Sequence, residues 1–243
     1  MKLKFVIILF SIVFTGCKNE ENKPDSELSK TKNSEVNSGK VKSCFESFQY
    51  DLDKILTKDE VLKYIDDSQH SQVETEFKNR NSSMSELIYS YPSERTHTIS
   101  VGKMSQNVPD NNIISLKGLS FSKIDEEKTL ELFNRKYKKL TEEEFQEMKS
   151  NLEKQYADKP KAELETALKF LEVRKKFNSI PVEGLGTAAY WKNFTVNEND
   201  YGVELFVLAG TVEFLVHVKI SDNDEINSNT AIEIAKDILA KCK

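Results

Sequence analysis

The alternation of apolar and polar residues is strongest near the C-terminus, in TVEFLVHVKI at residues 211–220. A two-residue period places one apolar set on a single face of a strand, namely Val212, Phe214, Val216, Val218 and Ile220. The opposite face, which we expect to be at least partly in water, carries Glu213, Leu215, His217 and Lys219. Together with YGVELFVLAG, this stretch predicts a hairpin that turns near Ala209 and Gly210. The alternation indicates an antiparallel sheet that helices cover on one side.

Four further stretches combine β-branched and aromatic residues with flanking turn formers, which is typical of strands. In chain order they are SELIYSYP, RTHTISVGKM, NNIISLKGLSF and TAAYWKNF. The first three precede a long helical block, and the fourth follows it.

The block at about 125–178 is rich in helix formers with spaced apolar positions. Thr141 and Glu144 form a capping box, and Pro160 interrupts the pattern, so we expect at least two helices. Leu164, Leu168 and Leu171 recur at helical spacing, which predicts one buried face.

Two more helices flank the strands. Thr57 and Glu60 form another capping box, which predicts a short helix from about Lys58 to Ile65. The terminal stretch SNTAIEIAKDILAKCK predicts a helix capped near Ser228. Its sheet-facing residues are expected to be Ile232, Ala235, Ile238 and Leu239. The fold class is therefore α+β, an antiparallel sheet covered by helices.

The N-terminus has the layout of a secretory leader. Lys2 and Lys4 precede the apolar run FVIILFSIVF, which is short for a membrane span and ends at Thr15-Gly16-Cys17. The motif FTGC resembles the lipobox of bacterial lipoproteins, although Phe14 stands where that family mostly has Leu. The resemblance implies that residues 1–16 are a signal peptide and that Cys17 is lipidated. The alternative is an ordinary leader with an incidental cysteine.

Residues 17–43 are almost entirely polar after Cys17, which predicts a disordered tether between the lipid and a single domain at 44–243. The stretch CKNEE resembles the export signal of surface lipoproteins in the Bacteroidetes. We therefore expect a lipid-anchored protein of the bacterial envelope, at the outer membrane, on either its periplasmic or its outer surface. The membrane is a partner through the lipid on Cys17.

The net charge of the chain without its leader bears on which partners it can bind. Removal of residues 1–16 takes away two lysines and leaves 33 basic against 40 acidic residues, a formal charge of −7. A mildly acidic chain argues against general nucleic-acid binding, which requires a basic face.

Three motifs resemble a group of small bacterial lipoproteins of unknown function with a PsbP-like α/β/α domain. They are ILTKDEVLKYI, IPVEGLGTAAYW and AIEIAKDILAK. The resemblance implies that the helical block at about 125–178 is an insertion and that Gly184 and Gly186 belong to a structural turn. Such glycines serve positive φ or close backbone approach. The family has no agreed activity.

Cys44 and Cys242 stand at the two ends of the predicted domain. Domain termini often lie close together, and exported chains meet an oxidising environment. A Cys44–Cys242 disulfide is expected, with two free thiols as the alternative.

The sequence offers little chemistry. Only three histidines are present, His70, His97 and His217, and no metalloprotease, redox, nucleophile-elbow or phosphate-loop motif occurs. Asp222, Asp224 and Glu233 match a calcium loop at its first, third and twelfth positions, but Ile226 and Asn227 break the pattern. We assign no catalytic residue, no metal site and no cofactor.

These observations favour a lipid-anchored, non-enzymatic module that binds an unknown protein or small ligand. One alternative is an envelope enzyme, hydrolase-like, whose site assembles from distant residues such as His97 or His217 beside a carboxylate. Another is an immunity or exclusion lipoprotein that blocks a toxin or phage.

Overall fold

Helices and strands form five alternating blocks along the described part of the chain. The computed structural model describes residues 38–80, 84–101, 104–176, 178–193 and 202–242. The helices are α1 (Ser38–Ser47), α2 (Leu52–Ile55), α3 (Lys58–Leu62), α4 (Glu126–Tyr137), α5 (Glu142–Gln155), α6 (Lys161–Lys175) and α7 (Asp224–Ala240), with a 3₁₀ helix at Asp67–Gln72. The strands are β1 (Glu74–Lys78), β2 (Glu86–Tyr91), β3 (Thr96–Val101), β4 (Met104–Pro109), β5 (Asn112–Phe121), β6 (Ile180–Pro181), β7 (Ala188–Asn193), β8 (Val203–Ala209) and β9 (Val212–Lys219).

Seven of these strands form one sheet in the order β1-β2-β5-β9-β8-β7-β6, and every neighbouring pair is antiparallel. Strands β3 and β4 form a separate two-stranded sheet. Because helices pack against the larger sheet, the predicted α+β class is confirmed. Strands β1 and β4 were not predicted, since the charged ETEFK and the polar MSQNVP lack the apolar alternation of a half-buried strand.

The main core lies on the first face of this sheet. The alternating residues of β9 (Val212, Phe214, Val216 and Val218) are buried there, as the two-residue period predicts. Helices α1, α2, α3 and α7 cover this face, and Phe45 of α1 lies 5.8 Å from Phe214 between ring centroids. Helix α7 packs along β8 and β9, which explains why those two strands are buried over their whole length on this side.

The second face is covered by α4 over part of its area. Phe133 and Tyr137 of α4 pack on Phe206 and Leu208 of β8 and on Tyr190 of β7. Helices α5 and α6 of the helical block pack chiefly on each other, and the Arg174 guanidinium of α6 donates to the Lys138 carbonyl behind α4. The rest of the second face carries polar side chains together with a few apolar ones such as Ile88.

Two capping boxes were predicted and both are present, at Thr57–Glu60 and at Thr141–Glu144. The predicted cap at Ser228 is wrong. Helix α7 begins at Asp224, because the side chain of Asn223 accepts a hydrogen bond from the Glu225 amide. Ser228 is buried inside the helix, where its hydroxyl donates to the Glu225 carbonyl.

Two further boundaries and one face differ from expectation. Helix α1 begins at Ser38, inside the stretch expected to be a tether, because Val41 is buried in the core. Helix α3 ends at Leu62, short of the expected Ile65. In α6 only Leu171 of the three predicted leucines is buried, since α6 packs on a second helix and not on the sheet. Of the described helices, none has the length and apolar character that a bilayer span requires.

Candidate ligand-binding site

A row of polar residues crosses the second face of the sheet. Ser115 of β5, His217 of β9 and Glu204 of β8 are successive cross-strand partners, so their side chains lie side by side on that face. All three residues are buried. Residues from three separate parts of the chain therefore meet in one polar layer.

Charged side chains extend this row. The Lys117 ammonium lies 3.6 Å from a Glu86 carboxylate oxygen and 3.9 Å from one of Glu204. Lys192 pairs with the other Glu204 oxygen at 3.1 Å. The Ser115 hydroxyl donates to Glu86 at 3.2 Å. These contacts balance two carboxylates with two ammonium groups next to the space left open by α4.

The expectation that His217 is exposed to water is wrong. It is only 7 % exposed, because the neighbouring strands and Gly202 close over it. Burial, together with the nearby charges of Lys117 and Lys219, lowers the pKa of the His217 imidazole to about 4. The imidazole is therefore neutral at pH 7.

A cavity opens beside this row. It lies where β5 has an irregularity between Lys117 and Ser120, next to the end of α4, and its volume is about 270 Å³. The side chains that matter for its chemistry are Ser85, Glu86, Lys117, Ser120, Tyr137 and Glu213. The irregular register of β5 separates that strand from the regular ladder and leaves room for the cavity.

Glu213 forms one wall and is held in place by α4. The Tyr137 hydroxyl and the Lys136 ammonium both donate to its Oε1, the latter at 2.8 Å. Burial and the adjacent Glu213 carboxylate raise the pKa of Tyr137 well above its usual value, so the phenol remains a donor. Tyr137 also stacks on Phe206 with 4.1 Å between ring centroids, which fixes the ring beneath the cavity.

A second cavity, of about 230 Å³, adjoins the first. The two share Ser120 and Glu213, and the second runs under α4 past Thr129, Phe133 and Lys136. Glu213 thus stands between two open spaces, one against β2 and one against α4.

A different charged cluster lies at the base of the β3–β4 hairpin. Asp110 is 6 % exposed and accepts from the Lys219 ammonium at 2.5 Å, while Arg95 lies 3.7 Å from its other oxygen. Arg95 also donates to Asn112 at 2.6 Å and to Asp222 at 3.3 Å. Because these groups are paired with one another, we assign the cluster a structural role, that of anchoring the hairpin to the sheet.

The residues singled out in the sequence lie apart from the cavities. Cys17 is outside the described residues. Cys44 of α1 and Cys242 after α7 are joined as a disulfide, with 5.5 Å between their Cα atoms. Gly184 and Gly186 both have positive φ, +72° and +63°, in the turn between β6 and β7.

Among the residues that the structure describes, the histidines and the acids of the calcium-loop pattern form no common site. His70 lies in the 3₁₀ helix, where its Nε2 is 3.0 Å from the Ile65 carbonyl oxygen, and the side chain of His97 is outside the described part. Asp224 and Glu233 belong to α7, so the calcium-loop pattern is helical. Within the described residues, no group of three or more His, Cys, Asp or Glu side chains is placed to hold a metal ion.

Sequence reasoning missed the cavity because its residues carry no motif. Ser85 directly precedes β2, Lys117 lies on β5 and Glu213 lies on β9, and only the pairing of these strands brings the three together. The one local signal is Lys117-Gly118 in the middle of an apolar strand, where a glycine often indicates a bulge.

Comparison of the chain with protein-family models, with curated proteins and with solved structures found no match. The resemblance to PsbP-like lipoproteins therefore rests on its sequence motifs alone and remains a prediction.

Proposed function

We propose that the chain is a lipid-anchored protein of the bacterial envelope whose folded part binds a small polar ligand and catalyses no reaction. Acyl chains on Cys17 hold it at the outer membrane. Two acyl chains are sufficient for stable anchoring, since each buried methylene contributes about 0.8 kcal/mol. The acidic chain then depends on its lipid and not on charge for membrane attachment.

The observation that supports a binding role is the cavity at the β5 irregularity. It is open, it is lined by both apolar and charged side chains, and it contains a buried hydroxyl, that of Ser85, with no hydrogen-bond partner among the described residues. A few convergent polar groups in a partly apolar cavity are typical of small-molecule sites. Unsatisfied buried polar groups are uncommon in folded proteins and call for a partner.

The arrangement of residues on this face gives less support to an enzymatic role. His217 is the cross-strand neighbour of Glu204, but it is buried and lines neither of the two cavities. A general base has to reach the proton that it removes, either directly or through one water. The binding role therefore accounts for this face with fewer assumptions than hydrolysis does.

The anchor is tested by labelling growing cells with an alkyne analogue of palmitate. The wild-type chain is expected to carry the label and to fractionate with membranes, and Cys17→Ser is expected to lose both properties. Equal labelling of the two proteins would overturn the anchoring proposal.

The binding role is tested by native mass spectrometry of the full chain, purified in detergent and incubated with a small-molecule extract of the envelope. A bound mass is expected for the wild type and for Lys192→Met, but not for Lys117→Met. Lys192 is a suitable control because it lies on the same sheet face outside the cavity lining. Consumption of an extract component, abolished by one polar substitution, would identify an enzyme instead.

A further inference from the structure

The cavity is lined by one ammonium group and two carboxylates. Lys117 is the cross-strand partner of Glu86 on β2 and of Leu215 on β9, while Glu213 lies two residues from Leu215. The one ammonium group among the lining residues, that of Lys117, lies 3.6 Å from a Glu86 oxygen, and the Glu213 carboxylate lines the cavity further along β9.

The Lys117 ammonium keeps its donors available. Its distances to Glu86 and Glu204, 3.6 Å and 3.9 Å, exceed hydrogen-bond length, and it makes no direct hydrogen bond to a described residue. An ammonium has three N–H donors and no acceptor. A ligand with an anionic oxygen would gain a charge-assisted hydrogen bond here.

Ser85 adds a second donor at the same end. The residue is 1 % exposed, and its hydroxyl has no partner within the described part of the chain. Its backbone carbonyl accepts from the Gly118 amide at 2.8 Å, which ties Ser85 directly to the irregular segment of β5. A buried hydroxyl without a partner has lost its hydrogen bonds to water, and a ligand oxygen that accepts from it would restore one.

The two carboxylates each keep one oxygen open. Glu86 accepts from Ser115 through Oε1, and Glu213 accepts from Tyr137 and Lys136 through Oε1. The Oε2 atoms of both residues accept no hydrogen bond from the described residues. Both side chains are partly exposed, so a ligand ammonium can reach them.

We propose that this cavity binds a small zwitterion of amino-acid size, with its carboxylate at Lys117 and Ser85 and its ammonium between Glu86 and Glu213. This inference rests on the proposed binding function and specifies its ligand class. A simple anion would be repelled by two carboxylates, and a simple cation by Lys117. The volume of about 270 Å³ lies just below the range of drug-sized sites and fits a smaller molecule.

The first experiment is saturation-transfer NMR on the full chain in detergent micelles, with pools of the proteinogenic L-amino acids as probes. The strongest binder is then measured by calorimetry beside two analogues, the amine that lacks its carboxylate and the acid that lacks its ammonium. Each analogue is expected to bind at least about tenfold more weakly, the equivalent of 1.4 kcal/mol. An analogue that binds as well as the amino acid overturns the proposal.

Variants test the roles of the two ends. Lys117→Met and Ser85→Ala are expected to weaken binding of the amino acid. Lys192→Met is expected to bind it as tightly as the wild type does. Ser85→Ala is the sharper variant, since removal of an unpartnered buried hydroxyl does not destabilise the fold. If Ser85→Ala melts at the wild-type temperature and binds equally well, the assigned role of Ser85 is wrong.

The two experiments distinguish failure of the zwitterion proposal from failure of the binding function. If no amino acid binds but native mass spectrometry finds another bound molecule, the zwitterion proposal falls and the binding function stands. If neither experiment detects a bound molecule, both are overturned.

Discussion

Cys44 and Cys242 are bonded to each other although 198 positions separate them in the chain. The bond joins α1, the first helix, to the residues that follow α7, the last one, and both helices pack on the same face of the sheet. Most of the folded chain is thereby closed into one covalent loop whose ends meet beside the core.

Loss of this bond is expected to destabilise the protein. In Cys44→Ser/Cys242→Ser, the free energy of unfolding should fall by about 2–5 kcal/mol, since a long closed loop restricts the unfolded chain. Denaturant titration measures the change. Alkylation of the unfolded wild type without reductant should leave both cysteines unlabelled, and labelling of either one would show free thiols.

The turn between β6 and β7 provides a matched pair of glycine substitutions. A Cβ at Gly186 would clash with the Leu208 carbonyl oxygen, whereas a Cβ at Gly184 would meet nothing within 4 Å. Because both residues have positive φ, Gly184→Ala is expected to cost about 1–2 kcal/mol from backbone strain alone. Gly186→Ala adds a steric clash and should cost about 3 kcal/mol or more. Equal melting temperatures for the two variants would contradict this close approach.

The buried imidazole of His217 makes stability depend on pH. Its pKa is about 4 in the folded chain and 6.5 as a free side chain, so the unfolded state binds more protons between these values. The neutral form therefore contributes stability that is complete above about pH 6.5 and is lost as the pH falls towards 4, about 3 kcal/mol in all. Urea unfolding across this window should show that loss.

Carboxylates also titrate near pH 4, so His217→Gln is the control for this measurement. The difference in unfolding free energy between wild type and variant should shrink steadily as the pH falls from 6.5 to 4. A difference that does not change with pH would show that His217 does not titrate with a lowered pKa.

The start of α7 is tested by two alanine substitutions. Asn223→Ala removes the side chain that accepts from the Glu225 amide and should cost about 1 kcal/mol. Ser228→Ala should cost less than Asn223→Ala, because the higher helix propensity of alanine offsets the loss of the hydrogen bond from the Ser228 hydroxyl to the Glu225 carbonyl. The opposite order of thermal stability would restore the cap at Ser228 that the sequence indicates.

Local patterns in the sequence were sufficient for much of the fold. The alternation in β9, the turn at Gly210 and the two capping boxes at Thr57 and Thr141 depend on neighbours within a few positions, and all are present. The α+β class followed from the same short-range periodicities, because a strand or a helix shows its buried face through its own spacing. Lipidation of Cys17 stays a prediction of the sequence.

Other features were decided only by tertiary packing. The face of β9 that carries His217 was predicted to be in water because most of its residues are polar. Strands β5 and β8 flank β9, however, and bury the imidazole. The candidate site depends likewise on the register that sets Lys117 opposite Glu86 and on α4, which holds Glu213. Strand pairing and helix docking join residues far apart in the chain, and no local period records which strands become neighbours.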